Sequence, residues 1–184
     1  MRSEQSRAVE KRKSILRAAT ELLLSEGLKG VTHRQVASAA GVPVGSIGYY
    51  YSTREKLIAT CFEQLAATRQ VAYENAMSGR VDLTDPVQFA ESVVDVISCG
   101  RPHRTRELSS AFIDAQREGG EVEQLVERTL TQLRSMLTEM MGRAGVEGIT
   151  SSRVLQMVIG TALTEEHPTA PVAAVTDLLR LAEH

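Results

Sequence analysis

The side chains of this chain best suited to chemistry are its cations, and they are unevenly spread. Up to residue 60 there are ten basic residues, Arg2, Arg7, Lys11, Arg12, Lys13, Arg17, Lys29, Arg34, Arg54 and Lys56. Five acidic residues, Glu4, Glu10, Glu21, Glu26 and Glu55, face them, so this third carries a formal +5. The remaining 11 basic and 18 acidic residues leave −7 on the rest of a chain whose total is only −2. A basic segment on an otherwise acidic chain is the charge pattern of a phosphate-facing module. Charge alone does not separate that reading from a chance unevenness of the surface.

Catalytic and metal-binding patterns do not occur. His33, His103, His167 and His184 are scattered, and none stands at ligand spacing from Cys, Asp or Glu. There is no G-x-S-x-G, Walker loop or dinucleotide fingerprint, so neither an enzyme nor a cofactor is expected. Glu165-Glu166-His167 before Pro168 reads as a helix end and turn. Cys61 and Cys99 stand singly without C-x-x-C spacing, as core or semi-buried thiols of a reducing cytoplasm. No signal-type apolar segment and no run of bilayer length is present. A soluble cytoplasmic protein without a membrane partner is expected.

The elements that must position the cations are helices. Hydrophobic residues make up 42% of the 184-residue chain and aromatics 4%, with no Trp. Apolar spacing of i, i+3, i+4 recurs, and period-two alternation does not, which predicts an all-α protein built on aliphatic packing. A first helix is predicted from about Ala8 to Glu26, with Ile15, Ala18, Ala19, Leu22 and Leu23 inward and residues 1–7 outside it. Thr32-His33-Arg34-Gln35 has the form of a capping box that starts a second helix, and Gly41 ends it in a left-handed conformation. Pro43 is placed at the first position of a third helix, where its missing N–H costs nothing. Helix, turn and helix fit in about twenty residues, the geometry that lets a second helix enter a DNA major groove. Ser52-Thr53-Arg54-Glu55 reads as another capping box, opening a helix that runs towards Met77.

The run Ala40-Gly41-Val42, Ser46, Tyr49-Tyr50-Tyr51 and Thr53-Arg54-Glu55-Lys56-Leu57 resembles the recognition segment of TetR-type transcriptional regulators. The upstream stretch from Ile15 to Thr32 resembles the first helix of that family, and the resemblance covers roughly residues 12–62. It implies an N-terminal three-helix DNA-binding module with a helix-turn-helix, followed by a C-terminal helical ligand-binding and dimerisation domain. It assigns residues 8–52 to the first and 53–184 to the second, with the helix from about 53 to 77 connecting them. Thr32 would offer its hydroxyl or backbone N–H to a phosphate, and Arg34 would reach a base edge or phosphate. Val44, Gly45, Ser46 and Tyr49 would face the groove floor, Val44 against a thymine methyl. Tyr50 would bond a phosphate, and Arg54 or Lys56 would neutralise one. Val44 stands where the family often has a basic or polar residue and Gly48 where it often has Tyr, which shifts weight to Arg34, Tyr49 and DNA shape. Tyr51, Ile47 and Val42 are expected in the core.

Beyond residue 80 only length and helical pattern agree with the family. Helices are predicted from Asp85, capped there with Pro86 at its first position, from Arg104 to Glu118, from Glu121 to Met141, from Ser151 to Glu165 and from Ala170 to Ala182. Gly142, Gly145 and Gly148 are read as a loop. The family's C-terminal pocket implies that Phe89, Phe112, Met136, Met140 and Met141 line a ligand cavity, although such residues equally make a plain core. The cluster of Arg101, His103, Arg104 and Arg106 is either an anion site or a solvated connection. The penultimate helix is apolar on more than one side around Gly160, so it either faces a second copy or fills the core of one chain. The candidate dimer residues are Leu155, Val158, Ile159, Ala162, Val175, Leu178 and Leu179.

The function expected is a ligand-responsive, sequence-specific DNA-binding regulator, a repressor acting as a homodimer on a palindromic operator. Its partners would be double-stranded operator DNA and a small-molecule effector. The rival is a helical small-molecule-binding dimer with a vestigial DNA-binding head.

Overall fold

The computed structural model describes the backbone of residues 2–182 and the side chains of residues 6–181. Its first four helices are α1 (Arg2–Glu26), α2 (His33–Ala40), α3 (Val44–Tyr50) and α4 (Arg54–Met77), with a 3-10 turn at Leu28–Gly30 after α1. Then follow α5 (Pro86–Ile97), a 3-10 turn at Pro102–Arg104, α6 (Thr105–Glu118), α7 (Gly120–Ala144), α8 (Ser151–Thr164) and α9 (Ala170–Ala182). No strand occurs among the described residues, so the all-α expectation holds. His184 lies outside the described residues.

The chain divides into two compact units. The first comprises the chain up to Gln64 together with Ala111–Val126; the second comprises Leu65–Ser110 and the chain from Glu127 onward. In the first, α1 packs on the 3-10 turn and on α2, and α2 packs on α3. Its buried apolar side chains include Ile15, Ala19, Leu23, Leu28, Val36, Ile47, Leu57, Ile58 and Phe62. In the second, α5, α8 and α9 pack on one another. Phe89, Val93, Leu137, Met140, Val154, Val158 and Val175 form its core with the inward side of α4.

Side chains set most of the boundaries. Thr32 caps α2: its hydroxyl oxygen accepts from the Gln35 N–H at 3.2 Å and donates to Gln35 Oε1 at 2.7 Å. Such a cap contributes about 1 kcal/mol. Gly41, at φ 65° and ψ 37°, is the left-handed stop that the sequence requires. Asp85 caps α5 by accepting from the Gln88 N–H at 2.8 Å, with Pro86 at its first position. Gly30 is dictated by space, because a Cβ there would stand 2.5 Å from the Cβ of Glu26.

Four boundaries differ from expectation. α1 begins at Arg2, not near Ala8; residues 2–7 hold no Gly or Pro to stop a helix and no apolar residue to reveal one. Pro43 caps α3 at φ −59° and ψ 141° and lies outside it. Thr53, and not Ser52, caps α4, accepting from the Lys56 N–H at 3.1 Å. α7 continues through Gly142 to Ala144. One helical glycine costs about 1 kcal/mol, and the burial of Met140 and Met141 beside it outweighs that.

Candidate nucleic-acid interface

α3 has seven residues and buries one of them, Ile47. A helix this short has no stability of its own, so its surroundings hold it. The Val42 N–H donates to the Ala37 carbonyl at 3.0 Å, and the Tyr51 N–H donates to the Ile47 carbonyl at 2.8 Å. Tyr51 is itself buried, and the Arg12 guanidinium lies 6.0 Å from its ring centroid. Burial pushes the Tyr51 hydroxyl above its ordinary range, with Arg12 opposing. Ile47 and Tyr51 are core residues, as expected, and Val42 is half-buried.

What the core does not use is turned outward. Val44 is 52% exposed and Tyr49 83%; between them Gly45 and Gly48 are exposed and Ser46 is half-buried. Tyr50 is half-buried and meets Tyr49 edge-on, with ring centroids 5.0 Å apart. A Cβ added at Gly45 or Gly48 would meet nothing, so the fold itself does not require either glycine. Arg34 on α2 and Lys56 at the start of α4 are exposed as well. Large apolar and aromatic side chains left in water beside mobile cations suit apolar, stacking and phosphate contacts.

Two of the expected DNA contacts are engaged within the unit, and each is a correction. Arg54 does not stand free to neutralise a phosphate. Its Nε donates to the Val31 carbonyl at 3.0 Å, a terminal nitrogen donates to the Leu28 carbonyl at 2.7 Å, and the other pairs with Glu118. It ties the turn after α1 to the start of α4 and the end of α6. Thr32 is occupied too: its hydroxyl serves the cap and its N–H donates to the Gly30 carbonyl at 3.1 Å. Arg34, Val44, Gly45, Tyr49 and Lys56 remain outward, and Ser46 and Tyr50 partly so.

This stretch matches a known family model. Residues 15–61 match the model of the bacterial regulatory proteins of the tetR family. The likeness to that family at the level of sequence lies in this N-terminal stretch. Over 153 residues it is 24% identical to a nucleoid occlusion factor, SlmA, of Vibrio campbellii, covering 82% of this chain and 78% of that protein. It is 35% identical over 49 residues to the HTH-type transcriptional regulator PksA of Bacillus subtilis, 27% of this chain and 24% of that one. A TetR-family transcriptional regulator from Agrobacterium tumefaciens superposes at a TM-score of 0.77 with 14% identity, covering 95% and 98% of the two chains; that likeness is one of fold. The matched stretch contains α2 and α3, which have the helix-turn-helix arrangement.

In the second unit the expected cavity residues are misplaced. A cavity of about 540 Å³ lies among α4, α5, the turn at Pro102–Arg104 and the start of α9. None of Phe89, Phe112, Met136, Met140 and Met141 lines it. Phe89, Met136, Met140 and Met141 are buried in the core, Phe89 also bordering a smaller cavity of about 210 Å³. Phe112 belongs to the first unit, tilted against Phe62 at 5.1 Å. Helical spacing marked these residues as apolar, and an apolar helix face fills before it hollows. The dimer candidates need the same correction, because Leu155, Val158, Ala162, Val175 and Leu179 are buried by this chain alone. Only Ile159 and Leu178 of that set are partly open. Among the basic cluster, Arg106 donates to the Glu165 carbonyl at 2.7 Å and Arg104 lies 3.9 Å from Glu107. Cys61 and Cys99 are buried, and burial pushes the Cys61 thiol up to about 11.

Proposed function

We propose that the chain acts in the cytoplasm as a homodimeric repressor, each copy laying α3 in the major groove at one half of a palindromic operator. Arg34 reads a base edge or phosphate, Val44, Gly45, Ser46 and Tyr49 line the groove floor, and Tyr50 and Lys56 hold the backbone. Residues 8–52 form the DNA-binding domain, and residues 53–184 form the regulatory and dimerisation domain. A small molecule in the second unit shifts affinity for operator by binding one arrangement of the heads better than another; equal affinity for both would shift nothing. Dimerisation uses the outer sides of α8 and α9, where Ile159 and Leu178 are partly open and Leu181 is 76% exposed.

The observation that supports this reading most is the exposure of α3. The helix keeps one side chain for the core and presents Val44 and Tyr49 to solvent, at a cost in apolar exposure that a DNA groove would remove. The rival, a ligand-binding dimer with a vestigial head, leaves that exposure without a purpose. The test is fluorescence anisotropy on DNA recovered from cells, starting with the intergenic region beside the gene, together with light scattering for the oligomeric state. A dimer whose affinity falls steeply with salt supports the proposal. A monomer that ignores this DNA even in dilute buffer ends it.

A further inference from the structure

The cavity in the second unit has an uneven chemistry that narrows its ligand. One wall is apolar, built from Ala76 on α4, Val81 in the following loop and Val172 on α9. Glu91 and Asp95 stand one helical turn apart on α5, and both border the same space. Asn75 and His103 also border it, both exposed at its edge. No Lys or Arg is among the lining residues. Glu91 is exposed, whereas Asp95 is half-buried. Burial pushes the Asp95 carboxyl above its ordinary range, and no cation counters it.

Asp95 is half-buried beside the apolar wall, and no Lys or Arg in the lining offsets that burial. A carboxylate pair contributes little to a core that is already complete, so the pair gains its use from a bound positive charge. At about 540 Å³ the space is of drug-sized dimensions. We infer that this cavity binds a small organic cation, an amine on an apolar body, with the ammonium between Glu91 and Asp95 and the body against Ala76, Val81 and Val172. Asn75 adds a carbonyl acceptor for a second ammonium hydrogen. His103 at the edge is the one lining group able to oppose the charge, and it does so only when protonated. The inference rests on the proposed ligand-responsive regulator for its biological purpose, and on the cavity alone for its chemistry.

The test is calorimetry on the full chain with three molecules that share a skeleton and differ in head group: phenylbutylamine, phenylbutanol and phenylbutyrate. The amine is expected to bind about tenfold tighter than the alcohol, as one charge-assisted hydrogen bond supplies, with the acid weakest. In the double variant Glu91→Gln, Asp95→Asn that preference is expected to vanish. Glu91→Gln alone, at an exposed position, is expected to reduce the preference and keeps the test valid should the double variant not fold. Equal or tighter binding of the acid overturns the inference, and so does an amine preference that survives both variants, or no heat from any of the three. Release of operator DNA by the amine is read in a separate titration. Its failure removes the effector role and leaves the measured ligand preference standing.

Discussion

The two units hold their functional side chains in opposite ways. In the first, α3 spends one residue on the core and leaves its reading face outside, where Tyr49 is 83% exposed. In the second, α5 buries six residues, and its remaining side brings Glu91 and Asp95 to the border of a cavity. On the proposed function, the contrast follows from the size of the partner. A DNA groove covers a protruding short helix, whereas a small molecule must itself be covered by several helices. Within the first unit the same lesson appears at two arginines: Arg34 is exposed, and Arg54 is held by the carbonyls of Leu28 and Val31 and by Glu118.

Substitutions at six positions sharpen or break this contrast. Arg34→Ala is expected to weaken operator binding by about 1–3 kcal/mol, roughly 5- to 150-fold, with a melting temperature like that of the parent. Equal affinity would show that the exposed face does not read DNA. Arg54→Ala should behave in reverse, lowering stability by about 2 kcal/mol, seen as a melting point roughly 4–8 °C lower. Lys56→Ala beside it should leave the melt alone and reduce the salt slope of binding by about one.

The glycines separate fold from function in the same way. Gly30→Ala forces a Cβ against that of Glu26 and should cost about 1–3 kcal/mol. Gly48→Ala meets nothing and should raise stability by up to about 1 kcal/mol in thermal melts. The smallest effect expected is at Asp95. Its carboxyl is raised by burial, so the folded chain holds that proton to a higher pH than the unfolded chain does. The charged form therefore costs stability above the ordinary carboxylate range, and the cost disappears as pH falls below it. Asp95→Asn should slightly raise the melting temperature at neutral pH and leave it unchanged in acid. The same shift at both pH values would contradict this account of the cavity wall.

Local signals in the sequence located the reading helix well. Gly41 and Pro43 bracket the turn, Thr32 caps α2, and the tyrosine run divides between core and surface as helical spacing demands. Partners far along the chain left no such trace. Arg54 looked like a free cation because Glu118, 64 residues away, cannot be seen from the spacing around it. The two apolar sides of α8 admitted a dimer face or a core, and the structure sends Leu155, Val158 and Ala162 to the core. The cavity was hidden for a related reason. Its lining comes from four separate segments, and Glu91 and Asp95 look like ordinary solvated charges until α4 and α9 stand beside them.

The account depends most on the claim that the outward side of α2 and α3 is what holds DNA. Genome-wide mapping of bound DNA, with the parent chain and with an Arg34→Ala, Tyr49→Ala variant shown by its melt to be folded, tests this directly. Discrete inverted-repeat sites occupied by the parent and emptied in the variant are the predicted result. Identical occupancy by both chains would contradict it.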